Sequence, residues 1–111
     1  MGVESSARGA TKRSDPGLPG RDGVERIIGV LAQCGARRIA VFGSRARGDH
    51  RPGSDLDLLV RFETTPSLLR LAELEERLEE ALGVPVDLIT ERSLSPYIRD
   101  AVLREARVIW E

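Results

Sequence analysis

A chain of 111 residues, 41% hydrophobic and 32% charged, has the length of one domain and the composition of a soluble globular one. Its formal net charge of −1 gives no whole-chain attraction to nucleic acid or to a membrane surface, so no direct nucleic-acid partner is expected. Cys34 is the only cysteine and His50 the only histidine, which excludes a disulfide framework or a cysteine metal site within one chain. A histidine zinc site or a Ser-His-Asp triad would hang on His50 alone.

Residues 1–21 are rich in Gly, Ser, Pro and charge and hold almost no large apolar side chains. They are expected to form a flexible tail ahead of a domain over residues 22–111. They contain no apolar run of signal-peptide type, and no stretch approaches the roughly 18 apolar residues that span a bilayer. The expected location is therefore the cytoplasm.

The first helix is predicted from a capping box, Asp22 with Glu25, and from an apolar face of Val24, Ile27, Ile28 and Leu31. Gly35 ends it. Arg38–Phe42 reads as a short buried strand that leaves through Gly43-Ser44 into a short helical stretch. Gly48 to Ser54 is turn chemistry throughout. Asp55–Phe62 reads as the second strand. Thr65-Pro66 starts a second long helix with a stripe of Leu68, Leu71, Leu74, Leu78 and Leu82, a Glu73–Arg77 pair, and a stop at Gly83. Val86–Thr90 is a third strand. Ser95-Pro96 caps a last helix with Ile98, Ala101, Val102 and Glu105 on one side, and Val108–Trp110 could close the chain as an edge strand. The implied class is α+β: a mixed sheet with helices packed on one face.

The chemistry concentrates in GSRARGDHRPGSDLDLL, residues 43–59. Side chains alternate along a strand, so Asp55 and Asp57 share a face while Leu56, Leu58 and Val60 take the other. Two carboxylates that close repel, and one would have its pKa pushed up. A divalent cation relieves the repulsion, and oxygen-only ligands suit Mg²⁺ or Mn²⁺. Asp87, between Val86 and Leu88, joins the pair if its strand lies beside the second, and the three then make a cradle for two metal ions and an in-line displacement at phosphorus. The competing reading makes Asp55 a turn residue and pairs Asp57 with an arginine. Gly43-Ser44 shifts the balance, because a strand turning through Gly-Ser presents backbone N–H groups and a hydroxyl to a phosphate. Ser44 could cap the short helix or bond phosphate. Arg45 and Arg47 could counter phosphate charge or simply be solvated surface.

Gly43-Ser44, ten residues, then Asp55-x-Asp57 resembles the signature of the nucleotidyltransferases related to DNA polymerase beta, and the longer string resembles their minimal prokaryotic branch. Asp87 in VDLIT matches the usual third carboxylate of that family. The resemblance covers about residues 24–111 and implies a polymerase beta-like fold. It implies that Gly43 and Ser44, with Arg47, hold the triphosphate of an ATP donor. It implies that Asp55, Asp57 and Asp87 ligate two Mg²⁺ ions, with Asp87 assisting deprotonation of the acceptor. It further implies an antitoxin that adenylylates a tyrosine on a HEPN-domain toxin. Every predicted element is spent on the sheet and its helices, so an outside partner is expected to present the acceptor. The alternatives are a binding module that neutralises its partner by contact alone, a transferase with a small-molecule acceptor such as an aminoglycoside, and a Toprim-like phosphoryl enzyme, which lacks its glutamate here.

Overall fold

The computed structural model describes residues 17–111. Most of the expected tail lies outside them. Within them Gly17 is buried, Leu18 packs against the core, and the first helix, α1 (Arg21–Leu31), already begins at the last residue assigned to the tail.

That early start undoes the capping box. The residue before α1 is Gly20, so Asp22 stands inside the first turn, where it pairs with Arg26 at 3.3 Å. There it still meets the positive end of the helix dipole. Ile27 and Leu31 are fully buried. A short 3₁₀ turn, Ala32–Cys34, brings the chain to Gly35, whose φ of 88° is the left-handed turn glycine adopts without strain.

Four strands follow: β1 (Ala36–Phe42), β2 (Leu56–Phe62), β3 (Val86–Thr90) and β4 (Arg107–Trp110). They lie in the order β3-β2-β1-β4. β1 is antiparallel to β2 and β4, and β2 is parallel to β3, so the sheet is mixed as expected. β1 starts two residues earlier than its apolar pattern suggests, because Ala36 pairs with Phe62 across a register shift. β2 starts at Leu56, which leaves Asp55 just outside the strand. A parallel neighbour needs a long crossover, supplied here by α3 (Leu68–Leu82) after the short α2 (Ser44–Arg47). Ser67 caps α3 by accepting from the Arg70 backbone N–H, so Pro66 precedes the helix rather than opening it. Arg70 also takes Glu73 at 3.1 Å, in place of the expected Arg77.

α1 and α3 cover one face of the sheet. Leu74 and Leu78 meet Ile27, Leu31, Ile39, Val41, Leu58 and Val60, all fully buried. α4 (Pro96–Glu105), capped by Ser95 with Pro96 at its first position, takes the other side, so the helices are not confined to one face as the sequence suggests. Its Leu103 lines a cavity of about 230 Å³ with Ala40 and Leu59, residues of the second face. The side predicted to be apolar is covered only in part: Val102 is half-buried but Ile98, Ala101 and Glu105 are exposed, and Tyr97 beside them is almost wholly so. On that second face Glu91 is buried among arginines, bonded to Arg38 at 3.0 Å and near Arg61 at 3.6 Å. Among the described residues no helix is long and apolar enough to cross a membrane.

β3 lies at an edge, where its outward N–H groups would face solvent. Glu79 accepts from the Val86 N–H at 2.9 Å and Glu75 from the Leu88 N–H at 2.8 Å, so α3 blocks the edge with its own carboxylates. Replacing both glutamates by alanine should lower unfolding free energy by about 1 kcal/mol per lost acceptor in a denaturant titration. It should also produce dimers in sedimentation velocity; an unchanged midpoint and a clean monomer would show that the helix does not guard the edge.

Candidate active site

The two halves of residues 43–59 meet at one end of the sheet. Phe42, the last residue of β1, is the cross-strand partner of Asp57, and Asp57 is in register with Asp87 on β3. Adjacent strands lie about 4.8 Å apart, so Asp57 and Asp87 are immediate neighbours. Asp55 stands two residues before Asp57 in the approach to the strand and is exposed.

Gly43 closes this row from the side. Its φ is 77° and ψ −155°, outside the range of ordinary residues. A Cβ on Gly43 would overlap Asp57 Oδ2 and lie 3.1 Å from its Cγ. The backbone of the turn is therefore pressed against the carboxylate, and only glycine permits it. Gly43 itself precedes the helix as its capping residue and offers no side chain, while Ser44 is the first helical residue rather than the cap.

The electrostatics follow from the placement. The Asp57 carboxyl is raised above the usual carboxylate range, first by burial, then by the charge of Asp87, then by that of Asp55. Arg47 and Arg45 pull the other way without cancelling the rise. The strongest repulsion on Asp57 thus comes from the neighbouring strand, not from the residue two positions earlier.

The arginines divide their work. Arg45 is 7% exposed; its Nη2 donates to the Ser54 carbonyl at 2.8 Å and its Nη1 reaches the Gly17 carbonyl at 3.4 Å. Ser54 Oγ in turn accepts from the Arg51 N–H at 2.8 Å. Arg45 therefore fastens the loop immediately before Asp55, a positioning role that its sequence context does not reveal. Arg47 is exposed and bound to Asp49 at 3.2 Å and Glu105 at 3.3 Å, turned toward α4 rather than over the Gly43-Ser44 turn.

Among the described residues no three acidic, histidine or cysteine side chains are gathered tightly enough to hold a metal ion as they stand. The donor set nevertheless suits Mg²⁺ or Mn²⁺: three neighbouring carboxylates of oxygen only, one of them driven up in pKa by burial and then by the other two.

The comparisons with known proteins decide the family. Residues 24–109 match the family described as the nucleotidyltransferase domain. The chain belongs to that family. It is 54% identical over 71 residues to the protein adenylyltransferase MntA of Thermococcus cleftensis, covering 64% of this chain and 72% of the relative. A crystal structure of a toxin-antitoxin with AMP-PNP superposes with a TM-score of 0.71 at 29% identity, covering 78% of this chain and 72% of that one. A tri-AMPylated Shewanella oneidensis HEPN toxin in complex with MNT antitoxin contains a similar chain, with a TM-score of 0.64 and 27% identity over 79% of this chain and 69% of that one. The polymerase beta-like fold is thus shared, and this chain is a nucleotidyltransferase.

Two outcomes test the geometry of the nucleotidyltransferase site. Gly43→Ala should cost about 1–3 kcal/mol in thermal unfolding, from strain and overlap together. Gly53→Ala, at φ 81° with open space around it, should show the smaller cost of strain alone. Equal losses would remove the contact with Asp57 from the account. Secondly, a carboxyl whose folded pKa is raised binds protons more tightly folded than unfolded, so its contribution to stability falls as pH rises through that raised pKa. Asp57→Asn should therefore be more stable than the parent at neutral pH, with the difference shrinking as the medium is acidified into the carboxylate range. A difference independent of pH would show that Asp57 is not under strain.

Proposed function

We propose that this nucleotidyltransferase moves AMP from ATP to a tyrosine hydroxyl of a partner HEPN-type toxin and so acts as that toxin's antitoxin. The observation that carries the proposal is the row Phe42–Asp57–Asp87 with Asp55 beside it, closed by the Gly43 backbone. That row puts three carboxylates next to a turn suited to phosphate. The relatives named above, an adenylyltransferase and the antitoxin of a toxin complex, support the donor and the partner.

Asp55, Asp57 and Asp87 would hold two Mg²⁺ ions, which supply charge neutralisation at phosphorus and an activated acceptor oxygen. Gly43 and Ser44 bind the triphosphate through backbone N–H groups and the Ser44 hydroxyl. Arg47 reaches it by leaving ion pairs that are exposed and cost little to break. The acceptor oxygen attacks the α-phosphorus, the bond to the β-phosphate breaks, pyrophosphate leaves, and Asp87 takes the hydroxyl proton. The toxin positions the tyrosine, since orientation supplies much of the rate in such transfers. Use of ATP supports a cytoplasmic location.

Labelled ATP, Mg²⁺ and the product of the neighbouring gene test the proposal directly. Label should pass to that protein from ATP, and Asp57→Ala should slow it at least about a hundredfold, the scale of losing one group that stabilises transition-state charge. No label from any of the four NTPs, with parent and Asp57→Ala alike, would sink transfer. Protection of cells by Asp55→Ala and Asp87→Ala proteins would assign neutralisation to contact alone.

A further inference from the structure

A second basic feature lies beside the site and shares only Arg47 with the chemistry above. A cavity of about 280 Å³ is lined by Ala46 and Arg47 of α2, Arg104 and Glu105 of α4, and Arg107 of β4. Three of its five lining residues are arginine. Arg47 is held by Glu105 at the cavity wall. Arg104 and Arg107 are exposed and have no acidic partner among the described residues. With Glu105 counted, the lining carries a surplus of two positive charges. Arginine presents a planar fork that matches paired phosphate oxygens, and an exposed ion pair such as Arg47–Glu105 yields to a phosphate at small cost.

The cavity is close to the reacting row. α2 is the helix that begins with Ser44. Arg107 pairs with Val41, the neighbour of Phe42, which itself pairs with Asp57. Two strand spacings, about 10 Å, separate Arg107 from Asp57 at the backbone; Arg107 shares the face of its partner Val41, so the cavity meets the carboxylate side through Arg47, whose charge acts on Asp57.

We propose that the Arg104–Arg107 side of this cavity binds the phosphodiester of an AMP unit already attached to the acceptor. This rests on the reading of the chain as an AMP transferase. The first transfer leaves the acceptor carrying an AMP with a free ribose hydroxyl. In a second round that hydroxyl oxygen bonds to the α-phosphorus of a new ATP, the α–β phosphate bond breaks, pyrophosphate leaves, and the proton passes to a site carboxylate. The phosphodiester made in the first round then lies one nucleotide back from the reacting oxygen, where an arginine-lined cavity would hold it. The tri-AMPylated toxin bound to a similar chain supports repeated transfer as chemistry available to this fold. The cavity would set how many units are added.

The test has two independent arms, both with Arg104→Ala/Arg107→Ala and a charge-reversed Arg104→Glu/Arg107→Glu. In the first, binding of the 5′-phosphorylated diadenylate pApA is measured by calorimetry. The parent should bind it and the alanine variant about tenfold or more weakly, as expected for losing charge-assisted hydrogen bonds. ATP affinity should stay unchanged. In the second, mass spectrometry counts AMP units on the neighbouring gene's product; the variants should add the first at the parental rate and stall before the second. Equal pApA binding by parent and variants would overturn the proposal. Parallel loss of ATP affinity would also overturn it, reassigning the cavity to the donor triphosphate. Arginine-dependent pApA binding without transfer to that protein would uphold the cavity and refute the acceptor assigned above.

Discussion

The close approach of the Gly43 backbone to the Asp57 carboxylate is the constraint on which the site depends. It forces the residue after β1 to be glycine and fixes the turn at positive φ. It also half-buries a carboxylate that two other carboxylates already oppose. A sheet edge or open loop could not keep such a group in place. Here β2 is held on one side by β1 and on the other by β3, with Leu56, Leu58 and Val60 anchored in the core beneath. The apolar half of the strand supplies the stability that its acidic half gives up.

The two faces of the sheet have separate duties. α1 and α3 close one of them over a continuous apolar core. The other carries Phe42, Asp57 and Asp87 at one end and the Arg38–Glu91–Arg61 group at the other, with Ala40 and Leu59 under Leu103 between them. α4 thus shields the middle of the face and leaves the carboxylate end open to a donor and an acceptor. Its last turn brings Glu105 and Arg104 to the α2 helix, so the cover on this face also frames the basic cavity.

Much of this was legible in the residues. Strand alternation placed Asp57 opposite Leu56 and Leu58, and the glycines at 35, 48 and 83 ended elements as expected because each takes a positive φ. The family resemblance rested on the same residues and is upheld by the match over residues 24–109. What was not legible depends on tertiary position. The capping box failed because the helix begins at Arg21, two residues before the start that an Asp22 cap implies, with Leu18 packed on the core ahead of it. Arg45 and Arg47 are two positions apart in a uniform polar string, yet one is buried against the Ser54 carbonyl and the other bonded to α4. The exposed side of α4 carries Ile98 and Ala101, which the helical periodicity places on its apolar side. Which carboxylate presses hardest on Asp57 is set by strand order, and sequence proximity pointed to Asp55.

The glutamates that block the β3 edge accept from Val86 and Leu88, the two residues flanking Asp87. The helix therefore measures out the strand: Glu75 and Glu79 fix where Leu88 and Val86 lie along it. Adding or removing one residue in this span would turn Asp87 to the opposite face of the sheet. Within residues 48–54, hydrogen bonds hold Gly48, Asp49, Arg51 and Ser54, while Pro52 and Gly53 form the tip of the turn outside those bonds. Length variation among relatives of this chain should then accumulate between Gly48 and Ser54 and be absent between Glu75 and Leu88, a pattern of tolerated insertions dictated by where a helix grips a strand.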